Sequence, residues 1–216
     1  SSSRSASMPG SNPFKSASLL RLKIPPSSSK RRDRALSRAA AAVSELFQGR
    51  AVEIAFRPSL TALRARLLSC QPKGQPVHAA TYLRNRRVIL NAALLDDPHE
   101  FARILCHELF HFAWVRLGNP MRGSWEAVLQ KELQAHARGE LGWSAEVRKE
   151  NLADADLRCR TRRWREYVCE SFCDSAACFH LNLDGHPELT LAGRYRRRRA
   201  AWFRKQQLLG SERISI

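Results

Sequence analysis

Between residues 97 and 120 the apolar positions recur with helical period. At about 100° per residue, Phe101, Ile104, Leu105, Leu109, Phe112 and Val115 fall on one stripe, and Phe110, Trp114 and Leu117 cover much of the other side. A helix apolar on both sides belongs in a core. Asp97 as N-cap, Pro98 at the first helical position and Glu100 where a capping box places its acid mark the start; Gly118-Asn119-Pro120 marks the stop. Upstream, the alanine-rich run from Ala35 to Gln48 reads as a helix closed by Gly49. Val52 to Phe56 alternates like a short strand, and Leu60 to Leu68 has the spacing of a second helix. Val77 to Leu83 and Arg87 to Asn91, joined by a turn at Arg84-Asn85-Arg86, read as a hairpin, giving a sheet of about three strands. Downstream, Ser124 to Arg138 and Ser144 to Leu152 are predicted helices opened by serine caps. Trp164 to Leu181 follows as a longer helix after a basic stretch.

With 216 residues, 44% of them hydrophobic, the chain can bury one proper core. That core is assigned to residues 35–190, after a Ser-, Pro- and Arg-rich leader, 1–34, expected to be disordered, and before a basic helix or tail, 191–216. No run approaches the roughly 18 uncharged apolar residues of a membrane span, and the N-terminus lacks the apolar core of a secretory signal, so the expected location is cytoplasmic. An acid-poor leader also fits an organellar transit peptide.

The net charge of +17 is concentrated at the ends: residues 1–35 and 191–216 carry +7 each and leave +3 for the middle. Such termini invite nucleic acid, and Arg194 to Arg199 followed by Trp202 and Phe203 mixes phosphate-binding charge with stacking aromatics. The favoured reading is instead an exposed helix with its aromatics tucked onto the core. Six cysteines, at 70, 106, 159, 169, 173 and 178, show no paired C-x-x-C ribbon, and Cys169 and Cys173 lie four apart on one helix, a poor geometry for a disulfide. Buried reduced thiols are expected.

Within the central helix runs His107-Glu108-Leu109-Phe110-His111. Imidazoles four residues apart on a helix differ by roughly 40° and about 6 Å, so both can grip one ion. This is the HExxH spacing of zinc hydrolases, in which the intervening carboxylate takes a proton from water attacking a carbonyl. Glu108 falls on the buried stripe, a costly place for a carboxylate that is neither paired nor functional.

Two histidines hold catalytic zinc poorly; three protein ligands and one open position are usual. On the later helix Glu166, Glu170, Asp174 and Ala177 share one face, and Val168, Phe172 and Phe179 the opposite one. Here the chain resembles the gluzincin clan of zinc metalloproteases, which pair HExxH with E-x-x-x-D on a later helix. Glu170-Ser171-Phe172-Cys173-Asp174 matches that second element. A helical second carboxylate motif is also similar to that of compact bacterial metallopeptidases related to antirepressor-cleaving enzymes. The departure is the long interval from His111 to Glu170. The resemblance covers the two motif helices and implies one catalytic Zn2+ held by His107, His111 and Glu170, with Glu108 as general base and Asp174 hydrogen-bonded to the outer nitrogen of His107.

It implies an α+β, zincin-like fold, a small mixed β-sheet packed on the HExxH helix with a mainly helical C-terminal portion, and a peptide or protein substrate lying along a sheet edge. The oxyanion stabiliser is left open among Tyr167, His136, His180 and Tyr82. Glu166 is the substitute ligand should the register differ, and a solvated acidic face paired with Arg163 and Arg165 is the bland alternative for Glu170 and Asp174. A metzincin would need a histidine at position 117, which is leucine. SprT-like proteases, which act on DNA-bound proteins, take a later histidine, a part open to His136, and Trp125 is similar to that family's tryptophan; no histidine lies close upstream of it. A proteolytically inert zinc-binding regulator is the remaining alternative. The oligomeric state is not legible.

Overall fold

Alternation makes the first strand. In the computed structural model, which describes residues 18–26, 29–63, 66–69, 75–208 and 213–216, Leu20 is buried and Leu22 half-buried, while Arg21 and Lys23 face solvent. This strand, β1 (Leu20–Lys23), lies inside the stretch expected to be a disordered leader; residues 1–17 of that stretch lie outside the described residues. Helix α1 (Lys30–Glu45) starts earlier than predicted because Ser29 caps it, accepting from the Arg32 backbone N–H, with Asp33 in the first turn. It also stops earlier. Phe47 and Gln48 form β2 (Phe47–Gln48), and β3 (Val52–Arg57) follows.

The predicted helix from Leu60 to Leu68 is instead β-structure. Strands β4 (Leu60–Leu63), β5 (Arg66–Ser69) and β6 (Gln75–Pro76) form a small antiparallel sheet with β4 in the middle. Leucines at 60, 63, 67 and 68 carry helical spacing, but pairing between segments satisfies the backbone and overrides that local period. The expected hairpin is β7 (Ala79–Tyr82) and β8 (Arg87–Asn91). The main sheet has the order β1-β3-β8-β7, with β1, β3 and β8 parallel and β7 antiparallel at the edge. It has four strands instead of three because the leader supplies β1. The result is a mixed α+β architecture.

After a 3-10 turn comes the motif helix α2 (Pro98–Arg116), capped as predicted: the Asp97 carboxylate accepts from the backbone N–H groups of His99 and Glu100 at 3.0 Å. The Glu100 carboxylate, expected in a capping box, instead meets Arg103 and His186. The stripe is buried except for Val115, which is 47% exposed near the helix end. Helix α3 (Asn119–Gln134) begins before Ser124 because Pro120 already suits its first turn, and α4 (Trp143–Glu150) begins before Ser144. Neither serine is a cap: Ser124 Oγ bonds Met121 O and the Trp202 indole N–H, and Ser144 Oγ bonds Glu170. Then come α5 (Asp154–Cys159), α6 (Arg162–His180) and α7 (Gly193–Lys205).

Helix α2 lies between α1 and α6, beneath β7. Phe172, on the face of α6 predicted to be apolar, anchors that helix among Phe110, Trp114, Trp125, Trp202 and Phe203. The basic C-terminal segment is no free tail. Tyr195, Trp202 and Phe203 of α7 are buried as the favoured reading expects, and β9 (Ile214–Ser215) pairs in parallel with β2. Gly49, at φ +135°, is required there, because a Cβ would strike the backbone of the buried Ile216.

Arg199 of α7 is also fully buried, in a polar cluster that no local pattern announces. Its guanidinium meets Glu132 and Glu140 at 2.6 Å each, and Tyr167 Oη donates to Glu140 at 2.6 Å. Lys149 stands 3.4 Å from Glu140, so two cations balance two carboxylates. Burial opposes the charge on Glu140, and Arg199, Lys149 and Tyr167 overcome it, holding the carboxyl below its usual range. Removing Arg199 would strand two buried carboxylates. Arg199→Ala is therefore expected to lose about 3–5 kcal/mol in urea unfolding. Since the folded pKa of Glu140 is depressed, its contribution is present above the unfolded value of 4.5 and is lost as pH falls through the lower folded value. The same variant should accordingly unfold at a higher pH than wild type in an acid titration.

Candidate metal centre

Two helices supply the site. His107 and His111 lie on the flank of α2 that faces α6, with ring centroids 5.0 Å apart. From α6, the Glu170 carboxylate reaches between them: Oε2 lies 3.5 Å from Nε2 of His107 and Oε1 4.0 Å from Nε2 of His111. Donors bound tetrahedrally at about 2.0–2.1 Å from zinc are roughly 3.4 Å apart, so the three groups need only a small contraction to hold one ion. Ligand atoms of all three lie within 4.8 Å of one another.

One turn further along α6, Asp174 Oδ1 meets Nδ1 of His107 at 2.7 Å, the contact implied by the E-x-x-x-D resemblance. That bond fixes Nε2 as the nitrogen free to ligate. The other Asp174 oxygen accepts from the Ala145 backbone N–H at 3.3 Å. The chain can come this close only because residue 142 is glycine: a Cβ there would strike the Asp174 carboxylate. Its backbone is extended, so the requirement is one of space.

Glu108 projects from α2 toward β7. Thr81 Oγ1 on that edge strand donates to Glu108 Oε2 at 2.5 Å. Above the histidines opens a cleft of about 400 Å³, walled by residues 77–81, Leu83, Trp143, Ser144 and Arg148, with Glu108 and Glu170 in its floor. Arg148 stands 3.5 Å from Glu170 Oε1, and Ser144 Oγ donates to Oε2 at 2.6 Å.

Charge is tightly coupled here. Burial opposes the imidazolium of His107, but the Asp174 and Glu170 carboxylates outweigh it and hold its pKa well above the ordinary value. For His111 burial is again outweighed, by Cys169 and Glu170, and the pKa is pushed up to about 9. Burial likewise disfavours the Glu170 carboxylate, yet the two imidazoles and Arg148 hold it well below the usual range.

The oxyanion candidates are not brought to the cleft. Tyr167 is buried and spends its hydroxyl on Glu140; burial pushes its pKa far up. His136 sits on an exposed turn at φ 50°, outside both this donor cluster and the one described below, which also removes it from the ligand position of the SprT-like alternative. His180 stacks on Phe110 at 5.2 Å, and Tyr82, 39% exposed, alternates to the strand face opposite Thr81. Glu166, the substitute ligand, pairs with Arg162 on the surface. Glu170 and Asp174 do not form a solvated face with Arg163 and Arg165; they are turned inward to α2.

Several site residues escaped the sequence reading. Thr81 was visible only as one hydroxyl among the alanines of an edge strand, and Arg148 had no local signal. The thiols of Cys169 and Cys173 each lie 3.5 Å from Nδ1 of His111; their signal was the order C-E-x-x-C-D, each cysteine preceding a carboxylate. Cys106, next to His107 in sequence, is buried elsewhere, and burial raises its pKa. Cys106, Cys159, Cys169, Cys173 and Cys178 are all free thiols; Cys70 lies outside the described residues.

Comparison with protein-family models, with curated proteins and with solved structures gave no match. No helix among the described residues is long and apolar enough to cross a membrane.

If these donors hold zinc, Asp174→Asn and Gly142→Ala are expected to weaken its binding by about 10–100-fold, the first by losing the carboxylate charge beside His107, the second by displacing that carboxylate; competition with a chelating dye measures both. A cation entering this site would have to expel protons from imidazoles whose pKa values are raised. Affinity should therefore keep climbing with pH through neutrality and past the His111 step at about 9, instead of levelling near the ordinary value of 6.5. Calorimetry in buffers of different ionisation enthalpy would count the released protons.

Proposed function

We propose that this chain is a zinc-dependent peptidase with a zincin-like fold. One observation carries the reading: two imidazoles of an HExxH helix and a carboxylate from a second helix converge on one point, at the floor of an open cleft, with Glu108 beside them. The donor set of two His and one Glu, with access from one side, is that of a catalytic zinc site more than of a closed structural one. When bound, zinc supplies the Lewis acidity that polarises a carbonyl and makes water nucleophilic at neutral pH.

The chain's own residues supply the rest. Glu108 accepts a proton from the attacking water and returns it to the leaving nitrogen. Thr81 holds the Glu108 carboxylate at the cleft, and Asp174 holds His107 in the required tautomer. Strand β7 is at the edge of its sheet and walls the cleft, so an extended peptide can add to it by main-chain hydrogen bonds. Exposed Leu83 and Trp143 offer apolar contacts to its side chains. Arg148 is the cation placed to stabilise developing negative charge, a role that the four candidates lying away from the cleft cannot take.

Against nucleic-acid binding through the C-terminal helix, Trp202 and Phe203 are buried and Arg199 is neutralised internally. That removes the stacking half of the motif.

The test compares zinc content and cleavage of a peptide library by wild type, Glu108→Gln and Glu170→Ala. Glu108→Gln should keep zinc and lose about 10²–10⁴-fold in rate, the contribution of a positioned general base; Glu170→Ala should lose most of its zinc. Full zinc in Glu170→Ala would remove the third ligand, and undiminished cleavage by Glu108→Gln would remove the mechanism.

A further inference from the structure

Behind His111 stand two sulfurs that the peptidase reading does not use. Cys169 precedes Glu170 and Cys173 precedes Asp174, so the thiol stripe of α6 lies about 100° round the helix from its carboxylate stripe. Asp174 turns to His107, Glu170 lies between the two histidines, and both thiols turn to His111. Each sulfur is 3.5 Å from Nδ1. Cys173 is buried and Cys169 only partly covered.

We propose that Nδ1 of His111 and the sulfurs of Cys169 and Cys173 form a second cation site, for a soft or borderline metal, that competes with the front site for His111. The three ligand atoms lie within 4.8 Å of one another and converge from two helices. Two thiolates and an imidazole select Zn2+, Cd2+ or Cu+ over the oxygen-seeking Mg2+ and Ca2+. On binding, each thiol releases its proton to solvent and the cation takes their place.

Competition follows from the chemistry of one ring. A neutral imidazole has a lone pair on one nitrogen and a hydrogen on the other. With Nε2 committed to the front site, Nδ1 is an N–H facing the sulfurs. A cation on Nδ1 moves that hydrogen to Nε2, and the nitrogen facing Glu170 can no longer ligate. Excess soft metal would therefore empty the front site. This competition rests on His111 being a ligand there; the thiol site itself does not.

Cadmium chloride titrated into the zinc-loaded full chain tests the proposal, with thiolate-to-cadmium charge-transfer absorption and a zinc-sensitive dye followed together. Wild type should gain the absorption and release zinc in step, and Cys169→Ser/Cys173→Ser should lack the absorption. No such absorption in wild type, or the same absorption in the double variant, would overturn the site. Cadmium-edge X-ray absorption on wild type is independent of how the variant folds: two sulfurs and one nitrogen support the site, and a shell of oxygen and nitrogen alone overturns it. A chain that never takes zinc but still gains the absorption supports the thiol site and discards only the front-site reading.

Discussion

The structure turns on burying imidazoles and carboxylates in the seam between α2 and α6. Such groups are expensive to remove from water unless each finds a partner. Here the partners come from the opposite helix: Asp174 and Glu170 for His107, and Glu170 with the two thiols for His111. A helix with 3.6 residues per turn can present two such stripes side by side, which is why one segment of α6 serves two histidines differently. The axial register of the helices is thereby fixed. A shift of one residue would carry Asp174 away from Nδ1 of His107 and leave both charges buried and unpaired.

A second polar cluster holds α6 from another side. Tyr167 and Ser175, both on α6, hydrogen-bond into the Arg199, Glu132 and Glu140 group, which also ties in α3, α7 and, through Lys149, α4. Between the two clusters Phe172 packs into the aromatic core. Apolar burial supplies most of the driving force for that packing but tolerates sliding. Ion pairs with fixed geometry do not, so the clusters act as register marks for a helix whose Glu170 must arrive within a few ångströms of His111. The first turn of α4 completes the enclosure, with Gly142 and Ala145 against Asp174 and Ser144 against Glu170.

What could be read from the chain was what local rules control. The cap at Asp97, the breaker at Gly118 to Pro120 and the His107, Glu108, His111 spacing are all short-range, and the structure brings those residues where the spacing implies. Glu170 and Asp174 were reachable because they repeat at helical intervals on a helix that is otherwise apolar. Longer-range choices were hidden. Leu60 to Leu68 has helical spacing, but a strand ladder made with residues downstream decides its state. Leu20 to Lys23 sits in a leader of disordered composition, yet two inward leucines and a free edge on β3 suffice to make it a strand. Arg199 lies in a run of four consecutive arginines, and nothing in the run distinguishes the one that turns inward to Glu132 and Glu140.

The edge strand links the remaining parts. Thr81 belongs to β7, whose neighbour on one side is β8 and whose other side faces the cleft. Its hydroxyl donates to the Glu108 carboxylate and lies 3.3 Å from the Glu108 backbone carbonyl. The carboxylate beside His107 and His111 is therefore oriented by the edge strand of the sheet. A chain that paired with β7 would stiffen that strand, and with it the hydroxyl that aims Glu108. On the peptidase reading proposed above, seating of a substrate and alignment of Glu108 would then be one event, set by hydrogen bonds to a single four-residue strand.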